Sequence, residues 1–309
     1  MQTIGIDLGG TRIKGVLIDA ATGEVRQKTL LPSGDENWKE RVAEAVQGLK
    51  ALATGPVQGI GLSAPGLPTP DNSAIACMPG RLAGLEGLSW SDFLQEPVQV
   101  INDAHAALMA EARYGAARDV RHALMLTLGT GVGGGLLLNG ELYQGFYQMA
   151  GHLGHLTVDA DSEQRDITGV PGSLEDAIGN ATVGRRTFGR YGSTYELVEA
   201  YRQGEPIATL AWLTSVRRLA AALASLANAF SPEVMVLGGG ICTADEALFK
   251  PLATFMDIFE WRPAGKKTDI RKAYFGEWAG AIGAAGFITN SPSATRPSSV
   301  RTEMERTDD

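Results

Sequence analysis

Two short glycine-rich turns are the first places in this chain where chemistry could occur. One is Asp7-Leu8-Gly9-Gly10-Thr11, set between apolar runs at 3–8 and 13–18; the other is Gly129-Thr130-Gly131 within 123–139. A shift of 120 residues superposes Leu8 on Leu128, Gly9 on Gly129 and Gly15 on Gly135. It also brings Asp19 onto Asn139, which starts an Asn-Gly turn into a third strand. A glycine hairpin turn exposes several backbone N–H groups on one concave side, and such a nest holds phosphate oxygens that a larger side chain would keep away. One copy would read as a plain tight hairpin. Two copies, each with a threonine (Thr11 and Thr130), read as paired phosphate contacts in two related halves facing each other. Asp7, just ahead of the first turn, suits a magnesium ion that keeps most of its waters. Residues 129–134 also spell G-x-G-x-x-G, but a dinucleotide fingerprint passes from strand into helix. Here the glycines lead into Leu136-Leu137-Leu138-Asn139-Gly140, a strand and a turn, so a dinucleotide site is excluded. No G-x-x-x-x-G-K-[ST] occurs, which excludes a P-loop.

Asn102-Asp103 follows a short strand, 98–101, and opens an alanine-rich helix reaching about Tyr114. Either residue could cap the helix, and a carboxylate at such an edge could instead accept a proton; the spacing leaves both readings open. Ala150-Gly151-His152-Leu153-Gly154-His155 begins a polar, glycine-rich stretch that runs to 193. A neutral histidine donates one hydrogen bond and accepts one, whereas a carboxylate only accepts. Glu175 follows Leu174, where an acidic side chain would also suit the start of a helix.

The elements that must position these residues are legible from pattern. Residues 36–53 and 207–229 show helical spacing, the latter through Leu213, Val216, Leu219, Ala220, Leu223 and Leu226. Residues 56–63 read as a strand, 64–88 as a Pro- and Gly-rich loop, and 234–237 as a buried strand running into Gly238-Gly239-Gly240. A last helix is expected near 277–289, followed by a disordered Ser-, Thr- and Pro-rich tail at 291–309. At 309 residues the chain has room for two domains. Its net charge of −8 speaks against general affinity for nucleic acid or an anionic membrane. Cys77 and Cys242 are too few for a disulfide framework and suit a reducing, cytoplasmic compartment. The N-terminus has no basic region or cleavage site, and no apolar run approaching the ~20 residues of a membrane span is expected.

Taken together and in this order, Asp7-Leu8-Gly9-Gly10-Thr11, the second glycine turn, Asn102-Asp103-Ala104 and Gly238-Gly239-Gly240 resemble the ROK family of sugar kinases and repressors, from about residue 2 to 288. The resemblance implies an α/β actin-like ATPase fold, in which two ribonuclease-H-like domains close over a cleft. The small domain would comprise 1–118 with about 278–290, the large one 119–277. ATP and Mg2+ are the implied cofactors, and a sugar the implied partner of a homodimer or homotetramer. Asp103 would be the catalytic base, with Gly66, Asn102, Asp103, His152, His155 and Glu175 around the sugar. Asp7, Gly9, Gly10, Thr11, Lys14, Gly129, Thr130 and Gly131 would serve the ATP phosphates, and Gly238, Gly239 and Gly240 the adenosine.

Three departures bear on that reading. His152 stands where the family's Gly-Glu-x-Gly-His pattern has the glutamate. Asp166, Thr168 and Ser173 replace the three cysteines of the family's zinc site, so no zinc is expected. Arg81 stands where relatives often carry a sugar-binding Asn. The function implied is transfer of the ATP γ-phosphate to a hydroxyl, the 6-hydroxyl, of a hexose such as glucose. A kinase for an N-acylated hexosamine and a catalytically silent sugar-binding regulator are the alternatives. A repressor would need a helix-turn-helix segment ahead of the phosphate motif, which already begins at residue 3.

Overall fold

The computed structural model of the chain describes residues 1–34, 37–78 and 82–288; Arg81 and the 291–309 segment lie outside the described residues. The first half begins with an antiparallel meander of β1 (Gln2–Leu8), β2 (Arg12–Asp19) and β3 (Val25–Pro32). Helix α1 (Trp38–Ala51) crosses to β4 (Val57–Ala64), which runs parallel to β1. A small hairpin of β5 (Leu67–Pro68) and β6 (Ile75–Cys77), and a one-turn helix α2 (Trp90–Leu94), precede β7 (Val98–Asn102), parallel to β4. The sheet order is β3-β2-β1-β4-β7.

Helix α3 (Asp103–Tyr114) leads into the second half, where β8 (Ala123–Leu128), β9 (Val132–Leu138) and β10 (Glu141–Leu142) form a second antiparallel meander. Helices α4 (Leu174–Ile178), α5 (Val183–Arg186), α6 (Thr194–Arg202) and α7 (Pro206–Phe230) follow. Then come β11 (Val234–Gly238), α8 (Glu246–Phe259), β12 (Asp269–Lys272) and α9 (Ala279–Ile288). The second sheet runs β10-β9-β8-β11-β12, with the last two strands parallel to β8. The two halves therefore share one plan, three antiparallel strands and then two parallel ones.

The repeat differs in one detail from the superposition read off the sequence. Leu8 pairs with Ile13 across four turn residues, but Leu128 pairs with Val132 across three. The second turn is one residue shorter, so Gly15, opposite Ile6, corresponds to Gly134, opposite Leu126, and not to Gly135. The first members of the two turns, Gly9 and Gly129, do match.

Between the sheets lies a core layer of small residues, including Ala106, Ala107 and Ala110 of α3 and Ala281, Ala284 and Ala285 of α9. Small side chains let these helices approach closely. A Cβ on Gly5 or Gly61 would stand 1.9 Å from the carbonyl oxygens of Ala281 and Ala284, so α9 rests almost directly on β1 and β4. Helix α3 packs against α9 and against β8 and β9, so it bridges from the end of β7 to the second sheet.

Among the described residues, elements additional to those expected from sequence are β3, the β5–β6 hairpin within the expected 64–88 loop, α2, α5, α6, α8 and β12. Strand β3 is a polar edge strand whose inner positions are only half-buried, and Pro251 interrupts the apolar pattern of α8. Helix α7 corrects a further expectation. Among the described residues it is the one helix long and apolar enough to cross a membrane by length and composition, yet half of its apolar window is buried in the protein. Trp212, Val216, Leu219, Leu223 and Leu226 sit in the second half's core, and Arg217 and Arg218 fall mid-helix. It is a core helix with one polar side.

Candidate active site

Asp103 begins α3 because Asn102 caps it: Asn102 Oδ1 accepts from the N–H groups of Ala104 (2.9 Å) and His105 (3.3 Å). The Asn102 amide donates to the Gly66 carbonyl at 3.0 Å, tying the cap to the loop after β4. The cap reading thus falls to Asn102, which is buried, while Asp103 is the exposed first residue of the helix. Asp103 is exposed to water at the end of β7 and not sealed in the core. Surrounding protein and the charge of Asp7 push its pKa up to about 6, against hydrogen bonds from Ala104 and Asn102. Asp7 is raised as well, chiefly by burial, while the Ser63 hydroxyl donating at 2.9 Å and the charge of Lys14 pull the other way. The Asp7 charge thus raises Asp103, and two neighbouring carboxylates of which only one has a nearby cation suit a divalent ion.

The first turn is closed by Gly9 N–H donating to the Arg12 carbonyl (3.0 Å) and braced by Ser33, whose hydroxyl donates to the Gly9 carbonyl (2.6 Å). Gly10 and Thr11 are exposed at its tip, and a Cβ on Gly10 would meet nothing within 4 Å. Lys14 lies opposite Asp7 in the β1–β2 register and donates to the Glu277 carbonyl at 2.8 Å, just ahead of α9.

The second turn is held differently. Gly129 and Thr130 accept from the N–H groups of Asn180 and Ala181, both at 2.9 Å, and Arg186 braces the neighbouring Gly179 carbonyl at 2.7 Å. Glu175, buried on α4, accepts the Val132 N–H through Oε2 at 2.9 Å. A Cβ on Gly131 would stand 2.2 Å from that oxygen, so this position must be glycine for the carboxylate to reach the turn. The other oxygen, Oε1, is buried without a protein partner. Gly129 and Thr130 line a cavity of about 470 Å³ with Asn180, Thr194, Arg202 and Gly240. Of the three glycines expected at the adenosine, Gly240 lines this cavity, Gly239 rests on the Leu128 backbone beside it, and Gly238 is buried as the last residue of β11.

His152 and His155 flank a short turn at 153–155 packed against β9 and α4. Burial holds His152 below the ordinary histidine pKa, and its Nε2 has no protein partner. Its ring lies 5.5 Å from that of His105, which is fully buried, donates from Nε2–H to the Ala150 carbonyl (3.0 Å), and is pushed down to about 4 by burial. His155 Nδ1 faces Asp166 Oδ2 at 3.2 Å. Asp166, Thr168 and Ser173, at the places of the family's zinc cysteines, form a hydrogen-bonded cluster with it.

Sequence reasoning missed His105, Ser63, Asn180 and the α6 side of the cavity. His105 was marked only by standing two residues after Asp103; the others carry no motif and meet the turns through tertiary packing alone.

Known proteins place this arrangement. The sequence profile of the ROK family matches residues 3–290. A glucokinase of Halalkalibacterium halodurans is 30% identical, over 92% of this chain and 94% of that protein. An N-acetyl-D-glucosamine kinase of Pectobacterium atrosepticum is 32% identical, over 91% and 97%. The crystal structure of a ROK family glucokinase from Streptomyces griseus, in complex with glucose and AMPPNP, superposes with a TM-score of 0.77 at 25% identity, over 94% of this chain and all of that one. With its paired glycine turns on an actin-like ATPase frame, the chain belongs to the ROK family, among its glucokinase-like sugar kinases.

Proposed function

We propose that the chain transfers the γ-phosphate of ATP to a hydroxyl, the 6-hydroxyl, of a hexose such as glucose, with Asp103 as general base. The observation that carries this reading is the exposed Asp103 carboxyl, raised to about 6 by the surrounding protein and by the charge of Asp7, which itself stands just ahead of the first glycine turn. A carboxylate near that pKa is a better proton acceptor than an ordinary one and is still ionised at neutral pH. Asp103 orients the attacking hydroxyl and takes its proton. The turn N–H groups at 9–11 and 129–131 hold the phosphates, and the cavity beside Gly240 receives the nucleoside. Asp7 fits Mg2+ held through water; when bound, the ion balances charge on the phosphates. Glu175 Oε1, buried and without a protein partner, and His152 and His155 offer hydrogen-bonding atoms to the sugar. Closure of the two halves, divided near 118 with α9 returning to the first sheet, would exclude water and prevent ATP hydrolysis. A homodimer or homotetramer in the cytoplasm completes this reading.

N-acylated hexosamines are the second acceptor class. His152 supports them, because a neutral imidazole can donate to an acyl oxygen where a carboxylate only accepts, and an N-acetyl-D-glucosamine kinase is among the relatives. The test is an ADP-release assay with MgATP across hexoses and N-acetylhexosamines. Sugar-dependent release supports the kinase, and the preferred sugar chooses between the classes. ATP binding with silence across the whole panel would favour a sugar-binding regulator instead.

A further inference from the structure

We propose that Asp166 is a positioning residue for His155, which it holds with the imidazole proton on Nδ1, leaving Nε2 as a hydrogen-bond acceptor for substrate. The argument is one of counting donors. The Asp166 side chain is fully enclosed, with 0% exposure, while that of His155 is 35% exposed. Asp166 Oδ1 accepts three hydrogen bonds, from Thr168 N–H (2.9 Å), the Thr168 hydroxyl (2.7 Å) and Val170 N–H (3.0 Å). Burial alone would raise its pKa, but these bonds, with those from Ser173 and His155, outweigh burial and hold the carboxyl down at about 2. It is therefore an ionised, acceptor-only group, and its Oδ2 is the oxygen that faces His155 Nδ1.

The second neighbour of Nδ1 is the Thr168 hydroxyl at 3.4 Å. Its single hydrogen is engaged by Asp166 Oδ1, so it turns lone pairs to the ring. Nδ1 thus meets two acceptors and no donor, which places the proton on Nδ1. In a free neutral histidine side chain the Nε2–H form predominates, so the protein selects the less common tautomer. The geometry is anchored on both sides. Leu156, next to His155, accepts from Leu174 N–H at 2.8 Å, and Asp166 N–H donates to the Val170 carbonyl at 3.0 Å. Leu174 adjoins Glu175, so the selected tautomer is fixed relative to the second glycine turn. The consequence for substrate, that Nε2 accepts from a sugar hydroxyl, rests on the reading of this cleft as a sugar site; the tautomer itself does not.

Asp166→Asn separates this role from loop bracing. The amide oxygen can keep the donors of Thr168 and Val170, but the amide nitrogen then faces Nδ1 and donates to it, which forces the proton to Nε2. Long-range 1H–15N correlation spectra of the full chain resolve the tautomers of its four histidines, with His155→Gln assigning the signal. The expected result is Nδ1–H in the native protein and Nε2–H in Asp166→Asn. A native His155 in the Nε2–H form, or one unchanged by Asp166→Asn, overturns the proposal. With the sugar that turns over best, Asp166→Asn should lower kcat/KM for sugar roughly 10- to 100-fold, as loss of an orienting partner does, with KM for MgATP unchanged. An equal loss on both substrates would overturn the sugar role while leaving the tautomer to the spectra. Failure of every sugar would count against the site reading, not the Asp166–His155 pair.

Discussion

The two glycine turns occupy matching places in two matching sheets, yet they are built for different work. The first follows Asp7 and faces Lys14; in the second the matching residue to Asp7 is Thr127, opposite Gly133. The first is braced by Ser33, through its hydroxyl to Gly9 and its N–H to Thr11, whereas the second is fastened from α4 and the 179–181 segment, through Glu175, Asn180 and Ala181. The duplicated frame thus supplies two glycine turns at no change in topology, with Asp7 and Lys14 on the strands of the first and Glu175 of α4 against the second. The first half carries Asp7 and Asp103, the carboxylates to which the proposed mechanism gives metal and proton. In the second half a single carboxylate, Glu175, touches the turn with one oxygen and leaves the other unpartnered, which in the proposed mechanism would couple nucleotide and sugar.

The largest test of that division is Asp103→Asn, expected to lower kcat by roughly 10²–10⁴-fold, the usual range for loss of a general base. Calorimetric affinities for sugar and nucleotide should stay near native, and a variant with native turnover would remove Asp103 from the mechanism. Next is Asp7→Ala, expected to cost about 10- to 100-fold in activity, as an outer partner of a metal does. Its counterpart Thr127→Ala should cost less; equal losses at the two positions would mean that the halves are not divided by charge.

A subtler contrast lies within the turns. Gly131→Ala forces Glu175 aside and should destabilise the fold by about 1–3 kcal/mol, the range for overpacking, with a lowered Tm and a raised sugar KM. Gly10→Ala, with open space above it, should leave Tm unchanged and raise KM for MgATP. If both variants behaved alike, the second turn would not be the coupled one. The smallest effect is on pH. Because the Asp103 pKa is raised, its base form is lost as pH falls through about 6. The kcat/KM profile should show an acid limb there, with activity rising toward neutrality. A flat profile down to pH 5 would place the base elsewhere.

Much of this was legible in the residue order. Two strand–glycine–strand units, a capped helix led by a carboxylate and a buried strand running into three glycines are local patterns, and local backbone preferences suffice to write them. The same holds for α1, α3, α7 and α9, whose apolar spacing survives without neighbours. The elements that escaped were those whose stability is borrowed: β3 pairs along β2 with a polar outer face, β12 completes the edge beside β11, and α6 and α8 pack on α7. Turn length decided the exact correspondence of the repeat, and only strand pairing reveals it.

For the site, glycine spacing singled out Asp7, and the family resemblance pointed to Asp103, His155 and Glu175, whose own spacing left their roles open. Their electrostatics were not legible in the chain. The raised Asp103 carboxyl needs Asp7, nearly one hundred residues earlier, to be folded against it. The tautomer of His155 needs Asp166 to be sealed from water, and His105 meets His152 only because α3 lies under β9. Short-range geometry is a property of sequence, whereas burial and long-range charge pairing exist only once the two sheets have closed around their shared helices.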